Sequence, residues 1–165
     1  MMKASGMVAT LLAMPSASQP PALDIAVGII IRDGRILVAR RAEGQHLGGL
    51  WEFPGGKRRP GEAIEETLRR EVEEETGLRF RGAVLLHCES HAYPERTVEL
   101  HFFLCLDLDI DLDLDLVNGT SNEAIGREGQ EVRWVTLAEL GELEMPAGNR
   151  TILKILAEQL GEEAA

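Results

Sequence analysis

The sequence predicts an α/β fold, a mixed β-sheet sandwiched between helices, and three observations predict it. β-branched runs closed by turn residues recur along the chain, one helical pattern falls between those runs, and a second closes the sequence. Residues 23–31, Leu-Asp-Ile-Ala-Val-Gly-Ile-Ile-Ile, read as the first strand. Asp33-Gly34 ends it as a hairpin turn, and 35–39 form the return strand. Residues 45–56 are loop-like, with Pro54 and several glycines. Pro60-Gly61 is a second turn, Glu62 or Ala63 opens a helix, and Gly77 ends it as a C-cap. Residues 84–88 and 98–106 are further strands. Ile152, Ile155, Leu156 and Leu160 repeat at helical spacing and predict a closing helix over 151–160.

At 165 residues the chain suits one domain, expected over 23–162, with 1–22 as a disordered extension. The apolar run at 7–14 is faintly like a signal peptide, but it is near the lower length limit, and it is too short to span a membrane as a helix. The expected location is therefore cytoplasmic, with no membrane partner. A net charge of −11 argues against binding polymeric nucleic acid through its phosphates. It leaves room for a small phosphorylated ligand, because a divalent cation can bridge carboxylates and phosphate. Cys88 and Cys105 lack a metal-ligand spacing, and Cys105, after an apolar run, reads as a core thiol.

One stretch is unusual. From Leu104 to Leu116, aspartates at 107, 109, 111, 113 and 115 alternate with leucine and isoleucine, the period of a strand with one acidic face. Side chains on one face stand about 7 Å apart, too far to share one ion. A solvated hairpin arm over 107–125, turning near Asn118-Gly119, is the expectation.

The helix between the strands carries the chemistry. At about 100° per residue, Ile64, Leu68 and Val72 make an apolar stripe. Glu71 and Glu75 lie beside it about 40° apart, with Glu74 further round the same flank. Glu65, Glu66 and Glu73 fall on the opposite flank, where solvent explains them. Three carboxylates on one flank repel one another, which a hard divalent cation would relieve. Oxygen-only ligands point to Mg²⁺ or Mn²⁺ rather than zinc.

Residues 56–78, GKRRPGEAIEETLRREVEEETGL, place Gly56, Glu62, Arg70, Glu71, Val72, Glu74, Glu75, Gly77 and Leu78 at a fixed spacing. The segment resembles the signature of the Nudix hydrolases, which cut nucleoside diphosphates linked to another group. The resemblance implies an α/β/α sandwich, metal binding at Glu71, Glu74 and Glu75, a carboxylate-orienting Arg70, and a carbonyl ligand from the Gly55–Gly56 turn, here Gly55. Glu62 is left open between a structural and a catalytic role. Arg40-Arg41, the stretch to His46, and Leu50-Trp-Glu-Phe-Pro-Gly-Gly-Lys57 are similar to the MutT-type branch, which hydrolyses 8-oxo-dGTP to the monophosphate and pyrophosphate and so sanitises the nucleotide pool. In that branch the positions of Arg41 and His46 contact the nucleotide. Glu52, Phe53, Pro54 and Gly55 line its pocket, Asn149 reads the base, and Glu128, in competition with Glu123 and Glu131, supplies another catalytic and metal-binding carboxylate. The plain rivals are surface positions for Arg41 and His46 and helix capping for Asn149. The expected substrate partner is a small nucleotide and the expected state a monomer. The alternatives are the same cut on CTP, a modified pyrimidine nucleotide or ADP-ribose, or a nucleotide-sensing Nudix domain without turnover.

Overall fold

β1 (Leu23–Ile29) and β7 (Thr97–Leu108) run side by side in parallel, from Leu23 opposite Val98 to Ile29 opposite Leu104, and this pair is the centre of the molecule. A parallel pair needs a long crossover, and the intervening chain supplies it: β2 (Ile31–Arg32), β3 (Arg35–Arg40), β4 (Trp51–Glu52), β5 (Gly55–Lys57), α1 (Ile64–Thr76) and β6 (Phe80–Ala92). The computed structural model describes residues 20–108, 124 and 126–163. β5 and β6 flank the central pair, both antiparallel, in the order β5-β1-β7-β6. A second, antiparallel sheet is built on β3, which pairs with β2, β4 and β8 (Val132–Val135). α2 (Leu137–Glu142), a 3₁₀ turn (Ala147–Asn149) and α3 (Arg150–Glu163) complete the described chain.

Strand alternation distributes the core to two faces. Ala26 and Ile30 join Leu68 and Val72 of α1, whereas Val27 and Ile29 join Ile152 and Leu156 of α3, so helices cover both faces as predicted. α1 comes close because β1 carries Gly28. A Cβ there would lie 3.1 Å from Val72 Cγ2 and 3.3 Å from Cys105 Sγ. Cys105 is buried, as expected, and burial pushes its thiol up to about 12. Asp33 and Gly34 both take positive φ, 50° and 72°, the pair of left-handed residues a two-residue hairpin uses.

The structure differs from the expectations in several places. The first strand, expected unbroken over 23–31, splits into β1 and β2, which belong to different sheets, and β8 was not foreseen. The strands expected over 84–88 and 98–106 extend to Phe80–Ala92 and Thr97–Leu108, because each pairs with the other along its whole length. The loop-like region contains two short strands, β4 and β5. α2 was not foreseen, although Thr136 and Glu139 cap it reciprocally through bonds of 3.2 and 2.7 Å. The acidic alternation also loses its phase where it begins. Asp107 takes φ 51°, Leu106 is exposed, and Leu108 packs on the α1 side while Leu104 packs on the other. The rest of the expected arm, 109–123 and 125, lies outside the described residues, as do 1–19 of the expected extension.

Candidate active site

The acidic flank of α1 is fixed by what β5 lacks. β5 runs against β1 with Gly55 opposite Val27 and Gly56 opposite Ala26. A Cβ on Gly55 would collide with the Ala26 carbonyl oxygen, and one on Gly56 would occupy the place of the Glu71 carboxylate. Two glycines therefore let the strand lie close to both β1 and the helix, and the Gly55 N–H donates to Glu75 Oε2 at 3.1 Å.

Arg70 organises the remaining carboxylates. Its guanidinium grips Glu62 with two bonds of 2.7 and 2.9 Å, donates to Glu71, reaches Glu74 at 3.3 Å, and bonds the Lys57 carbonyl at 3.2 Å. Glu62 also accepts from Thr67 Oγ1 at 2.8 Å and from the Arg59 N–H at 3.1 Å. The Arg70 bonds hold the Glu62 carboxyl down at about 2. Glu62 thus sits as the anchor of Arg70, tying the loop before α1 to the helix. Arg70 in turn is held more firmly protonated by Glu62 and Glu71.

Glu75 is the perturbed group. Burial pushes its carboxyl up to about 8 against the opposing Gly55 N–H bond, and the negative charges of Glu52, Glu71 and Glu128 push the same way. Glu128 comes near through the 126–130 turn, docked on the C-terminal end of α1. The Arg127 N–H donates to the Glu75 carbonyl at 3.0 Å and Gln130 Nε2 does so at 3.3 Å, while Gln130 Oε1 accepts from the Glu128 N–H at 3.0 Å. Of its rivals, Glu131 is paired with Arg133 at 2.7 Å, and Glu123 lies outside the described residues.

The donors around Glu75 are all oxygen, which suits a hard divalent cation, and the raised Glu75 carboxyl is the kind of strain such a charge relieves. As placed, Glu71 is drawn to Arg70 and Glu75 to the Gly55 N–H. No three His, Cys, Asp or Glu side chains among the described residues are gathered closely enough to hold one ion.

Gly55 also belongs to a cavity of about 430 Å³. Arg41, His46, Glu52, Phe53, Gly55 and Asn149 all line it, which gathers residues more than 100 positions apart onto one space. Pro54 does not line it; it is buried beside the cavity, where its carbonyl accepts the Gly28 N–H at 2.8 Å. Arg41 is braced by Glu52 at 2.6 Å, and its Nε is buried with no hydrogen-bond partner. Burial raises the Glu52 carboxyl despite Arg41. His46 is exposed, but its ring meets Tyr93 edge-on at 5.5 Å, so it closes the rim instead of pointing into solvent alone. Asn149 is buried at the end of the 3₁₀ turn. Its backbone N–H donates to the Pro146 carbonyl at 3.0 Å, and its side-chain amide makes no hydrogen bond to another described residue, so it does not cap α3.

Sequence reasoning missed a whole wall. Tyr93, Glu95 and Arg96, in the turn joining β6 to β7, line the cavity, together with Lys57, Leu23, Ile25, Val98 and Leu100. The available signal was a short turn holding the chain's sole tyrosine beside Pro94, Glu95 and Arg96. The glycine at 148, beside Asn149, has a local reason. A Cβ there would lie 2.7 Å from Leu100 Cδ1, where the 3₁₀ turn packs on β7.

The NUDIX domain family matches residues 26–155. An 8-oxo-dGTP diphosphatase of Haemophilus influenzae is 35% identical over 132 residues, covering 79% of this chain and 88% of that protein. A CTP pyrophosphohydrolase of Escherichia coli is 35% identical over 79 residues, 48% of this chain and 58% of that protein. A solved MutT structure, one of those from Aliivibrio salmonicida and Vibrio cholerae, superposes with a TM-score of 0.67 at 28% identity, covering 84% of this chain and 99% of that one. Its fold is the mixed α/β arrangement described above.

Proposed function

The chain belongs to the Nudix family of hydrolases, and within that family we propose that it is a nucleoside triphosphate pyrophosphohydrolase converting 8-oxo-dGTP to 8-oxo-dGMP and pyrophosphate. The observation that carries this reading is the position of Gly55. It lines the cavity that holds Asn149 and Arg41, and it donates to Glu75 of the acidic helix. Base pocket and carboxylates thus meet at one backbone group.

A divalent cation, Mg²⁺ with Mn²⁺ as a substitute, would be held by Glu71, Glu74, Glu75 and Glu128 with the Gly55 carbonyl, and would neutralise phosphate oxygens and activate water. The chain's own residues do the rest. Arg70 positions Glu71 and Glu74 and is itself positioned by Glu62. Arg41, held by Glu52, lines the cavity and brings a cation to an anionic group entering it. The Asn149 amide offers one acceptor and two donors with no protein partner among the described residues, the equipment to bond a purine edge altered by oxidation. His46 and Phe53 close the rim and wall of the same space.

Among the described residues no helix is long and apolar enough to cross a membrane. Action on a small nucleotide, as a monomer in the cytoplasm, completes the proposal. A second reading, the same cut on CTP, is favoured by the similarity to the CTP pyrophosphohydrolase. The test is turnover of 8-oxo-dGTP, dGTP, CTP and ADP-ribose at low micromolar concentration with Mg²⁺, scoring pyrophosphate against phosphate. Preference for 8-oxo-dGTP with pyrophosphate release is expected. Preference for CTP would transfer the proposal to the second reading.

A further inference from the structure

On the face of β1 turned away from the cavity, three side chains from three strands stand in line. Asp24 alternates with Leu23 and Ile25, which line the cavity, and so points to the opposite side of the sheet. On the same face lie His101 on β7, which pairs with Ala26 two residues along β1, and Cys88 on β6, paired directly with His101. His101 Nε2 lies 3.0 Å from Asp24 Oδ1, and His101 Nδ1 lies 3.4 Å from Cys88 Sγ. Asp24 is itself fixed: its Oδ2 takes Arg58 Nη2 at 2.8 Å and its carbonyl takes the Arg58 N–H at 2.9 Å. The Cys88 side chain is exposed.

This geometry selects a tautomer. A carboxylate accepts only, so Nε2 carries the proton and donates it to Asp24, which leaves the Nδ1 lone pair facing the thiol. Thiol, base and orienting carboxylate then follow the order that activates a nucleophile. Glu99, opposite Asp24 in the β1–β7 register, adds a second acidic residue on the same face.

We infer that Cys88, with His101 as its base and Asp24 as positioning residue, is a modification site that takes small-molecule disulfides, separate from the hydrolytic site. In the exchange, Sγ attacks one sulfur of the disulfide. The new S–S bond forms as the old one breaks, and the proton taken by His101 Nδ1 passes to the departing thiolate. Cys88 is oxidised to a mixed disulfide, and the departing half is reduced to a thiol. Cys105 is the internal control: buried, and with its thiol raised to about 12, it stays silent.

The test uses the full chain and hydroxyethyl disulfide, a neutral probe, with the rate read by mass spectrometry at pH 7. A single adduct on Cys88 is expected, forming at least tenfold faster than in His101→Asn and about threefold faster than in Asp24→Asn. From pH 8 to pH 6 the wild-type rate should fall less steeply than the roughly tenfold per unit of an unassisted thiol with a pKa near 8.5, and His101→Asn should restore that slope. Should His101→Asn fail to fold, His101→Gln and Asp24→Asn carry the same comparison. Rates within twofold across the folded variants, or wild-type slope equal to that of an unassisted thiol, would overturn the assignment.

Discussion

The two flanks of α1 carry the same residue type in equal number, and their partners make them different. On one flank Glu66 accepts the Ala63 N–H at 2.9 Å and Glu73 pairs with Arg79 at 2.6 Å, both near solvent. Those contacts start the helix and cover its surface. On the other flank Glu71 fills the space left by Gly56, Glu75 is held by the Gly55 N–H beside the cavity, and Arg70 binds Glu71 and Glu74 to the anchor Glu62. Exposed pairs of the first kind contribute little to stability, about 0–1 kcal/mol. Glu75, crowded and largely buried on the second flank, resists ionisation, and that resistance is useful chemistry when a cation is expected. What a glutamate does on this helix is decided by the backbone it faces.

The sharpest way to break the comparison is Glu75→Gln. It keeps the shape and removes one charge from the acidic flank, and kcat should fall by two or more orders of magnitude. An unchanged kcat in a steady-state assay would remove Glu75 from the chemistry. Gly56→Ala probes the same flank through the backbone. The new Cβ takes the place of the Glu71 carboxylate, and displacing that group should lower kcat roughly 10- to 100-fold; a fully active variant with an unshifted melting curve would show that Glu71 can sit elsewhere. Asn149→Ala sharpens the picture by separating the cavity from the helix. Losing its amide should reduce the kcat/KM preference for 8-oxo-dGTP over dGTP by roughly tenfold, while equal losses on both nucleotides would remove its reading role.

The smallest effect concerns stability, and its sign follows from Glu75. The folded-state carboxyl is raised from 4.5 to about 8, so between those pH values the native protein keeps a proton that the unfolded chain has lost. Stability of the metal-free protein therefore falls as pH rises through that window. Glu75→Gln cannot ionise and escapes the loss. In chelator its Tm should exceed wild type by about 3 °C or more at pH 8, with the gap closing toward pH 4.5. A constant gap at both pH values would contradict the burial of Glu75.

The acidic helix was legible because its information is local. Spacing along α1 separated Glu71 and Glu75 from Glu73, and Gly77 announced the helix end, where it takes φ 73°. The glycines at 55 and 56 were legible as a turn, but β5 itself was not, since three residues pair only because β1 lies beside them. The cavity was half legible. Arg41 and Asn149 were found by resemblance, whereas Tyr93 and Arg96 join them in lining the cavity only after β6 and β7 pair to their full length, a long-range fact with no periodic trace. Pro54 was assigned to the pocket with its neighbours, yet its carbonyl is turned to Gly28. The Leu-Asp alternation predicted one continuous apolar face, and a single left-handed residue, Asp107, ends that continuity.

The most direct test of the difference between the flanks is Mn²⁺ binding, followed by paramagnetic resonance in wild type, Glu75→Gln and Glu73→Gln. The predicted result is a site weakened at least tenfold by Glu75→Gln and unchanged within twofold by Glu73→Gln, as loss of one carboxylate ligand on one flank only requires. Equal weakening by both substitutions, or by neither, would contradict the division of α1 into a chemical flank and a solvated one.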